Sequence, residues 1–302
     1  MAALRGPRPR RRSTDGPAPA DPAVVAGEAS AEHALAHASA AGPTQLDATA
    51  AAFFDVDNTI MRGASIFQLA RGLYRRKFFT LGDLAGWGWK QFQFRLLGEN
   101  LEHVAAAQEQ ALGFVKGHSV TELRAIGEEI FDELIADRIW PGTYALAMMH
   151  IEAGQRVWLV TATPVEVAEV IAARLGLTGA LGTVAEHVDG IYTGRLVGTP
   201  MHGQAKAEAV RALAAREGLD TGRCSAYSDS ANDIPLLSLV GNPCAINPDR
   251  PLRAHARAHD WRVRDYRTGR KAARMAVPVA AGAGAIAGAA LGAAAVSRRL
   301  RS

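Results

Sequence analysis

The sequence predicts an α/β fold in which a Rossmann-like parallel sheet carries an inserted helical cap. Two observations lead to this prediction. From residue 140 to residue 266, short apolar stretches typical of strands alternate with helical patterns, which is the order of a parallel sheet with helices on its faces. Residues 62–139 instead show helical patterns and few β-branched runs, so they predict helices inserted after the first strand.

Each element has its own local signal. A short apolar run leads into Asp55 and predicts a buried strand. Thr163 and Pro164 predict the N-cap and the first residue of a helix that ends near Leu175. Asp189-Gly190 lies among alternating residues and predicts a hairpin over 183–198. The other predicted elements are strands at 156–160, 225–228 and 243–246 and helices at 143–153 and 205–217.

Composition divides the chain into four parts. Residues 1–45 combine an Arg/Pro cluster with an Ala/Pro/Ser-rich stretch that lacks apolar bulk, so they predict a disordered N-terminal arm, with order beginning near Ala50. Residues 46–61 and 140–266 are predicted to form the α/β core, and residues 62–139 the helical cap. The last part, 267–302, is predicted to be a basic tail.

The charge is distributed unevenly along the chain. The net charge is +4, but residues 1–16 contribute +4 and residues 267–302 contribute +7, so residues 17–266 sum to −7. An acidic body argues against a nucleic-acid partner. The basic ends suit an anionic membrane surface, or are simply solvated. Cys224 and Cys244 fit neither a metal spacing nor a disulfide framework, which predicts a reducing, cytoplasmic environment.

The tail contains a stretch that predicts membrane association. Residues 276–296 carry no charge, and this length is enough to span a bilayer. Gly284, Gly288 and Gly292 recur at the spacing that favours helix pairing in membranes. We therefore predict a transmembrane helix that anchors the protein at the inner face of the cell membrane, with a homodimer as the accompanying expectation. The alternative is a flexible Ala/Gly tail.

Acidic residues follow the first predicted strand. Asp55 and Asp57 lie two positions apart at its end, where both carboxylates would reach the upper edge of the sheet. One such carboxylate can attack phosphorus as a nucleophile, and the other can protonate a leaving oxygen and later activate water. Taken alone, the pair would also fit a solvated turn.

Three further features lie at corresponding places. Thr161 ends the second strand before a helix, which is a geometry that binds phosphate. Lys206 lies at a helix start, where the helix dipole disfavours a cation unless an anion is near. Residues 228–233, Ser-Asp-Ser-Ala-Asn-Asp, follow another strand and offer the oxygen ligands that Mg²⁺ prefers. Singly, each feature fits a cap, a solvated lysine or a turn; together they predict one site.

The combined pattern resembles the haloacid dehalogenase superfamily. Asp-x-Asp-x-Thr, a strand-terminal threonine, a lysine and Ser-Asp-x-x-Asn-Asp occur in that order over about residues 50–266, and the resemblance is to the subfamily that includes phosphoserine phosphatases. It implies a phosphomonoester hydrolase that requires Mg²⁺ and forms an aspartyl-phosphate, although the motifs say little about the substrate.

The resemblance also implies a role for each residue. Asp55 would be the nucleophile and a metal ligand, and Asp57 the general acid/base whose backbone carbonyl also binds the metal. The remaining residues would divide between two tasks: phosphate binding by Thr161, Lys206 and Asn232, and metal binding by Asp229 and Asp233.

The cap departs from the phosphoserine phosphatase pattern. Those enzymes carry a glutamate about nine residues after the nucleophile, where this sequence has Ala64. The cap is instead aromatic and basic, which indicates either a packed cap core or affinity for membrane interfaces. The expected substrate is accordingly a small metabolite phosphate, phosphoserine-like, or a lipid phosphate. The alternatives are a phosphotransferase to an acceptor other than water and a non-catalytic membrane-tethered binder of a phosphorylated ligand. Asp57 argues against the binder.

Overall fold

The structure, a computed structural model, describes residues 20–38, 47–76 and 115–267. Its described strands form one six-stranded sheet and one antiparallel hairpin. The sheet strands are β1 (Ala51–Asp55), β2 (Arg156–Pro164), β3 (Gly179–Thr183), β6 (Ser225–Ser228), β7 (Asn242–Ile246) and β8 (Arg262–Arg264), and the hairpin strands are β4 (Ala185–Val188) and β5 (Ile191–Leu196). The sheet order is β3-β2-β1-β6-β7-β8, and every neighbouring pair is parallel. The predicted fold class is confirmed.

Helices connect these strands. In the described parts of the chain they are α1 (Pro22–His37), α2 (Ser65–Arg75), α3 (Val120–Ile130), α4 (Pro141–Glu152), α5 (Val165–Arg174), α6 (Gln204–Glu217), α7 (Ile234–Leu239) and α8 (Arg250–Ala258). A π-helical turn (Phe131–Ile135) and a 3-10 turn (Ala136–Arg138) follow α3, and another 3-10 turn (Ala231–Asp233) precedes α7. Within the described ranges, no helix has both the length and the apolar character needed to cross a membrane.

Two hydrophobic clusters cover the two faces of the sheet. Successive residues of a strand point to opposite faces, so Phe53 and Trp158 belong to one cluster, whereas Phe54 and Leu159 belong to the other. All five residues of β1 are buried. Because β1 lies in the middle of the sheet and is buried on both faces, the position of the residues that follow it is fixed by the core.

The start of the helix after β2 differs from the prediction. Thr163 is not an N-cap, because β2 continues through Pro164, which pairs with Thr183 of β3, and α5 begins only at Val165. The hydroxyl of Thr163 contacts the hydroxyls of Ser65 and Thr161 instead of a helix N–H group. The continued pairing with β3 has therefore extended the strand beyond the predicted helix start.

The prediction of disorder throughout residues 1–45 was wrong for the segment that forms α1. Asp21 caps this helix by accepting a hydrogen bond from the backbone N–H of Ala23 at 2.8 Å. The helix buries small residues against α6, and a Cβ on Gly27 would lie 2.7 Å from the backbone nitrogen of Ala209. Small side chains let two helices approach closely, so the lack of bulky apolar residues did not mean the lack of a packed face.

The predicted cap is described only at its two ends, by α2 and by the segment that contains α3. Arg76, directly after α2, pairs with Glu129 and Glu133 and so ties the two ends together. The remaining cap residues, with most of the aromatic ones, lie outside the described residues, as does the stretch 276–296 in the tail. The division of the chain into core, cap and tail stays a prediction.

Candidate active site

The sheet brings the predicted site residues to one edge. Asp55 is the last residue of β1 and pairs in register with Val160, so Thr161 follows directly beside it. Ser228 ends the neighbouring strand β6 and leads into Asp229. Carboxyl ends of parallel strands lie at the same edge of a sheet, where α/β proteins bind their ligands. The catalytic edge is the carboxyl-terminal ends of β1, β2 and β6 together with the loops that follow them.

Lys206 links the end of β1 to the loop after β6. It lies in the first turn of α6, after Gly203, whose φ of 51° lies in the region that favours glycine. Its Nζ donates hydrogen bonds to Asp55 Oδ1 at 2.6 Å and to Asp233 Oδ2 at 2.9 Å. The hydroxyl of Ser228 donates to the same Asp233 oxygen at 2.7 Å. The lysine, buried together with both carboxylates, thus has its ammonium group placed beside the predicted nucleophile.

Burial perturbs the ionisable groups of the catalytic edge. It raises the pKa of Asp55 to about 8, against the opposing attraction of Lys206, and raises the pKa of Asp229 to about 7, with Asp233 adding to the shift. For Lys206, burial alone would lower the pKa, but the carboxylates of Asp55 and Asp233 raise it above its usual value. The site therefore holds more buried acid than its lysine can neutralise, which favours binding of a further cation.

Asp57 is held by a chain of hydroxyl groups that no motif in the sequence indicates. Its Oδ1 accepts hydrogen bonds from the backbone N–H of Ser65, at 2.7 Å, and from the hydroxyl of Ser65. That hydroxyl lies 2.6 Å from Thr163 Oγ1, which in turn accepts a hydrogen bond from Thr161 Oγ1 at 3.2 Å. The chain fixes the predicted acid/base relative to the predicted phosphate-binding threonine.

The sequence indicates the roles of Ser65 and Thr163 to different extents. Ser65 is the first residue of α2 and lies eight positions after Asp57, but no motif marks it. For Thr163, the sequence predicts only a helix cap. Both roles depend on how α2 and β2 meet in space, which the spacing along the chain does not show.

The loop after β6 contains the remaining predicted residues. The backbone carbonyl of Asp229 accepts a hydrogen bond from the N–H of Asp249 at 2.8 Å, and Asp249 Oδ2 accepts one from the N–H of Ala231 at 3.0 Å. Asn232 lies in this loop with its side chain exposed, and its backbone N–H donates to the hydroxyl of Ser230. The structure thus brings the acids of this loop to the catalytic edge, and Asn232 is an exposed residue of the same loop.

Asn247 is a further supporting residue, and no motif in the sequence indicates it. It is buried, and its Nδ2 donates a hydrogen bond to the backbone carbonyl of Asn58 at 3.2 Å, while its Oδ1 accepts one from the N–H of Tyr266. Asn58 adopts a φ of 54°, in the left-handed region that asparagine tolerates better than most residues. Asn247 therefore braces the turn that carries Asp57.

The donor set fits a hard divalent cation. Asp233 Oδ1 is buried and has no hydrogen-bond partner in the described structure, and leaving a buried carboxylate oxygen without a partner is costly. Carboxylate and carbonyl oxygens are the ligands that Mg²⁺ prefers. The residues that would hold the ion are Asp55, Asp229 and Asp233, together with the backbone carbonyl of Asp57.

Several known proteins are similar to this chain in sequence or in fold. The family model described as haloacid dehalogenase-like hydrolase matches residues 52–238. A protein of Mycobacterium tuberculosis named phosphoserine phosphatase SerB1 is 57% identical over 270 residues, which cover 87% of each chain. A more distant relative of Neisseria meningitidis, named histidinol-phosphatase, is 28% identical over 72% of this chain and 98% of its own. A crystal structure of a protein of unknown function from Bordetella pertussis is 32% identical, with a TM-score of 0.62 over 73% of this chain and 98% of that one.

The chain belongs to the haloacid dehalogenase-like hydrolase family, because the family model matches more than half of it. Within that family it is a phosphatase, a phosphoric monoester hydrolase.

Proposed function

We propose that the protein hydrolyses a phosphomonoester with Mg²⁺ as cofactor and forms an aspartyl-phosphate on Asp55. The observation that carries the proposal is the placement of Asp55 beside a buried lysine, 2.6 Å away, at the same sheet edge as a second, hydrogen-bonded aspartate. Phosphoryl transfer depends mainly on positioning and on neutralising charge, and these are the properties of this edge.

The first half of the proposed reaction forms the intermediate. The carboxylate of Asp55 attacks phosphorus, and the bond between phosphorus and the leaving oxygen breaks. Asp57 in its protonated form gives its proton to that oxygen, and the alcohol departs. The ammonium group of Lys206 and the hydroxyl of Thr161 bind the oxygens of the transferring group. Mg²⁺, when bound, supplies additional positive charge for these oxygens.

The second half regenerates the enzyme. Asp57, now a carboxylate, removes a proton from a water molecule, and this water attacks phosphorus. The bond between phosphorus and Asp55 then breaks, which releases inorganic phosphate and restores the Asp55 carboxylate. Asp57 ends protonated, as it began. Ser65 keeps the Asp57 carboxyl group in place through two hydrogen bonds in both halves.

The experiment that tests this function compares two aspartate variants. Asp55→Asn is expected to abolish hydrolysis of an aryl phosphate, because an amide is a poor nucleophile and a weaker metal ligand. The matched control is Asp189→Asn, an exposed position in the hairpin turn where asparagine accepts the observed φ of 50°. Steady-state assays with Mg²⁺ and with excess chelator complete the test. Full turnover by Asp55→Asn, or undiminished wild-type turnover in chelator, would refute the proposal.

For the substrate we propose a small phosphomonoester, with phosphoserine the first to be tested. The support is the name of the 57% identical relative, a phosphoserine phosphatase. The contrary observation is Ala64, which lies where the resemblance to phosphoserine phosphatases implies a glutamate and which precedes α2 without a carboxylate. The experiment that identifies the substrate class measures turnover of phosphoserine, histidinol phosphate, sugar phosphates and dispersed lipid phosphates. Turnover of lipid phosphates alone would overturn the small-molecule proposal in favour of a lipid substrate.

Membrane association through residues 276–296 and pairing through the tail remain proposals, supported by the uncharged stretch and its glycine spacing. Fractionation of the full-length protein tests them. Detergent-dependent release from the membrane pellet that is lost on truncation after Arg267 would support insertion at the cytoplasmic face. A protein that stays in the high-speed supernatant at low salt, with or without the tail, would contradict it.

A further inference from the structure

A second group of buried ionisable side chains lies between α1 and α5, apart from the catalytic edge. Glu169 of α5 faces two histidines of α1: His33 Nε2 is 3.0 Å from Glu169 Oε1, and His37 Nδ1 is 3.5 Å from the same oxygen. We call these three residues the α1–α5 cluster. In the described parts of the chain, it is the one group of three potential ligands whose ligand atoms all lie within 4.8 Å of one another.

The buried carboxylate of this cluster is incompletely satisfied. Glu169 is only 5% exposed, and neither of its oxygens has a hydrogen-bond partner in the described structure; the same holds for His33 Nε2. Arg124 Nη1 lies 3.2 Å from Oε2 and forms an ion pair with it. Oε1 is therefore left aimed at the two imidazoles without a hydrogen bond, although a buried carboxylate oxygen needs one, or a cation.

We propose that His33, His37 and Glu169 bind one Zn²⁺ ion. Zinc binds imidazole nitrogen and carboxylate oxygen at about 2.0–2.2 Å in a tetrahedral arrangement, which sets neighbouring ligand atoms about 3.3 Å apart. The measured separations of 3.0 and 3.5 Å from Glu169 Oε1 lie on either side of this value. The two histidines are four positions apart on one helix, so they share a face.

The surroundings of the cluster agree with a zinc site. Arg124 pairs with Oε2 and orients the carboxylate so that Oε1 faces the histidines, which is the supporting role that residues around a metal usually play. Zinc suits two imidazoles and one carboxylate, whereas Mg²⁺ prefers oxygen ligands alone. His37 Nδ1 also lies 2.9 Å from the backbone carbonyl of His33, and binding through Nδ1 replaces that contact.

The ion would connect the N-terminal helix to the catalytic domain. α1 is held mainly through small residues packed against α6, and the cluster adds a link to α5. This helix begins directly after the segment that contains Thr161 and Thr163. The role is structural, because none of the three ligands takes part in the proposed reaction.

The test is isothermal titration of the metal-free, full-length protein with ZnCl₂ in excess Mg²⁺, repeated with Asp55→Asn to separate binding at the catalytic acids. We expect one zinc equivalent that Asp55→Asn keeps and that weakens by more than about tenfold in both His37→Asn and Glu169→Gln. His37 is half-exposed, so its variant is expected to fold. The same ion should raise the melting temperature of the wild type.

The matched control is the double variant His255→Asn/His259→Asn. These residues also lie four apart on one helix with stacked rings, 4.0 Å between centroids, but belong to no three-ligand group in the described structure. The control should keep the zinc equivalent. A wild type that binds no such equivalent, or His37→Asn and Glu169→Gln variants that bind it unchanged, would show that the cluster is only a buried ion pair. Either result leaves the phosphatase proposal standing.

Discussion

The catalytic edge and the α1–α5 cluster both bury charged groups, but they satisfy them differently. At the catalytic edge, Lys206 donates hydrogen bonds of 2.6 and 2.9 Å to two carboxylates. In the cluster, Glu169 approaches two histidines at 3.0 and 3.5 Å without a hydrogen bond. The first region thus contains a lysine that is hydrogen-bonded to both of its carboxylates, whereas in the second Arg124 pairs with only one oxygen of Glu169 and the other oxygen faces the imidazoles.

The difference shows how each region is assembled. The catalytic edge is made of strand ends, so the hydrogen bonds of the sheet and the buried core fix it. The cluster is made of two helix faces, so it exists only while α1 is docked. Both regions leave buried carboxylate oxygens without a hydrogen bond, Asp233 Oδ1 in the first and both oxygens of Glu169 in the second. We infer that each region is completed by a metal ion, of a different kind in each case.

Replacement of Lys206 should have the largest effect on stability and activity. Lys206→Met leaves Asp55 and Asp233 buried together without a positive partner, which typically costs about 3–5 kcal/mol of the free energy of unfolding. Activity should fall below detection, because the lysine also binds the transferring phosphoryl group. Urea unfolding in chelator measures the stability, and an aryl phosphate assay measures the activity.

The control for this variant is Lys116→Met, which changes an exposed lysine and should leave both quantities nearly unchanged. If Lys206→Met were as stable and as active as the wild type, the catalytic edge would not depend on its lysine, and the contrast with the α1–α5 cluster would disappear.

The hydroxyl chain that holds Asp57 should have the next largest effect. Ser65→Ala removes the side-chain hydrogen bond to the Asp57 carboxylate but keeps the one from the backbone. Hydrogen bonds to charged groups contribute about 1.5–3 kcal/mol, so kcat should fall about 10–100-fold, and its pH profile should shift. Ser238→Ala, at an exposed position in α7, is the control. An unchanged kcat and pH profile would mean that Ser65 does not position the acid/base.

The close packing of α1 against α6 can be tested by substituting two glycines with alanine. A Cβ on Gly27 would lie 2.7 Å from the backbone nitrogen of Ala209 in α6, so Gly27→Ala should lower the free energy of unfolding by about 1–3 kcal/mol. Gly127 in α3 is the matched control, because its Cβ would meet Val167 at an ordinary 3.5 Å. Gly127→Ala should therefore be neutral, or stabilising by up to about 1 kcal/mol. Equal effects in urea unfolding would contradict the close approach of α1 and α6.

The smallest expected effect on stability concerns the ion pairs of Asp265, which lie outside both buried regions. Hydrogen bonds from Arg267 and Arg253 lower the pKa of Asp265 to about 2 from its usual 3.8. A carboxyl group whose pKa is lower in the folded state stabilises it above the unfolded pKa, and this stabilisation is lost as the pH falls from about 4 to about 2.

Asp265→Asn should therefore lower the free energy of unfolding by about 1 kcal/mol at pH 7, after allowance for solvent screening, and by less at pH 3. Urea unfolding at the two pH values measures this, with Asp260→Asn, an exposed residue of the same region, as control. A difference between variant and wild type that grows toward pH 3 would have the wrong sign for this account.

Much of the catalytic edge could be predicted because it follows from local signals. Apolar runs marked β1 and β6 at the observed bounds, and the polar residues after parallel strands must meet at one edge. Motif spacing then selected Asp55, Asp57, Lys206 and the acids after β6.

The remainder could not be predicted because it depends on contacts between distant elements. Ser65 reaches Asp57 through the placement of α2, and Thr163 stays in a strand because β2 continues to Pro164, which pairs with β3. The stretch that forms α1 was predicted to be disordered, since its small residues give no hydrophobic pattern, and so the histidines of the α1–α5 cluster carried no signal. Composition shows whether a segment has large apolar side chains, whereas α1 packs against α6 because small side chains let the two helix backbones approach closely.

The most direct measurement of the central claim is to trap the phosphorylated enzyme. The protein is mixed with ³²P-labelled phosphoserine or an aryl phosphate and Mg²⁺, quenched in acid within the first turnover, and digested for peptide mapping. The account predicts label on the peptide that contains Asp55, lost on treatment with hydroxylamine and absent from Asp55→Asn. Label on a different residue, or turnover of the substrate with no covalent label at any time, would contradict it.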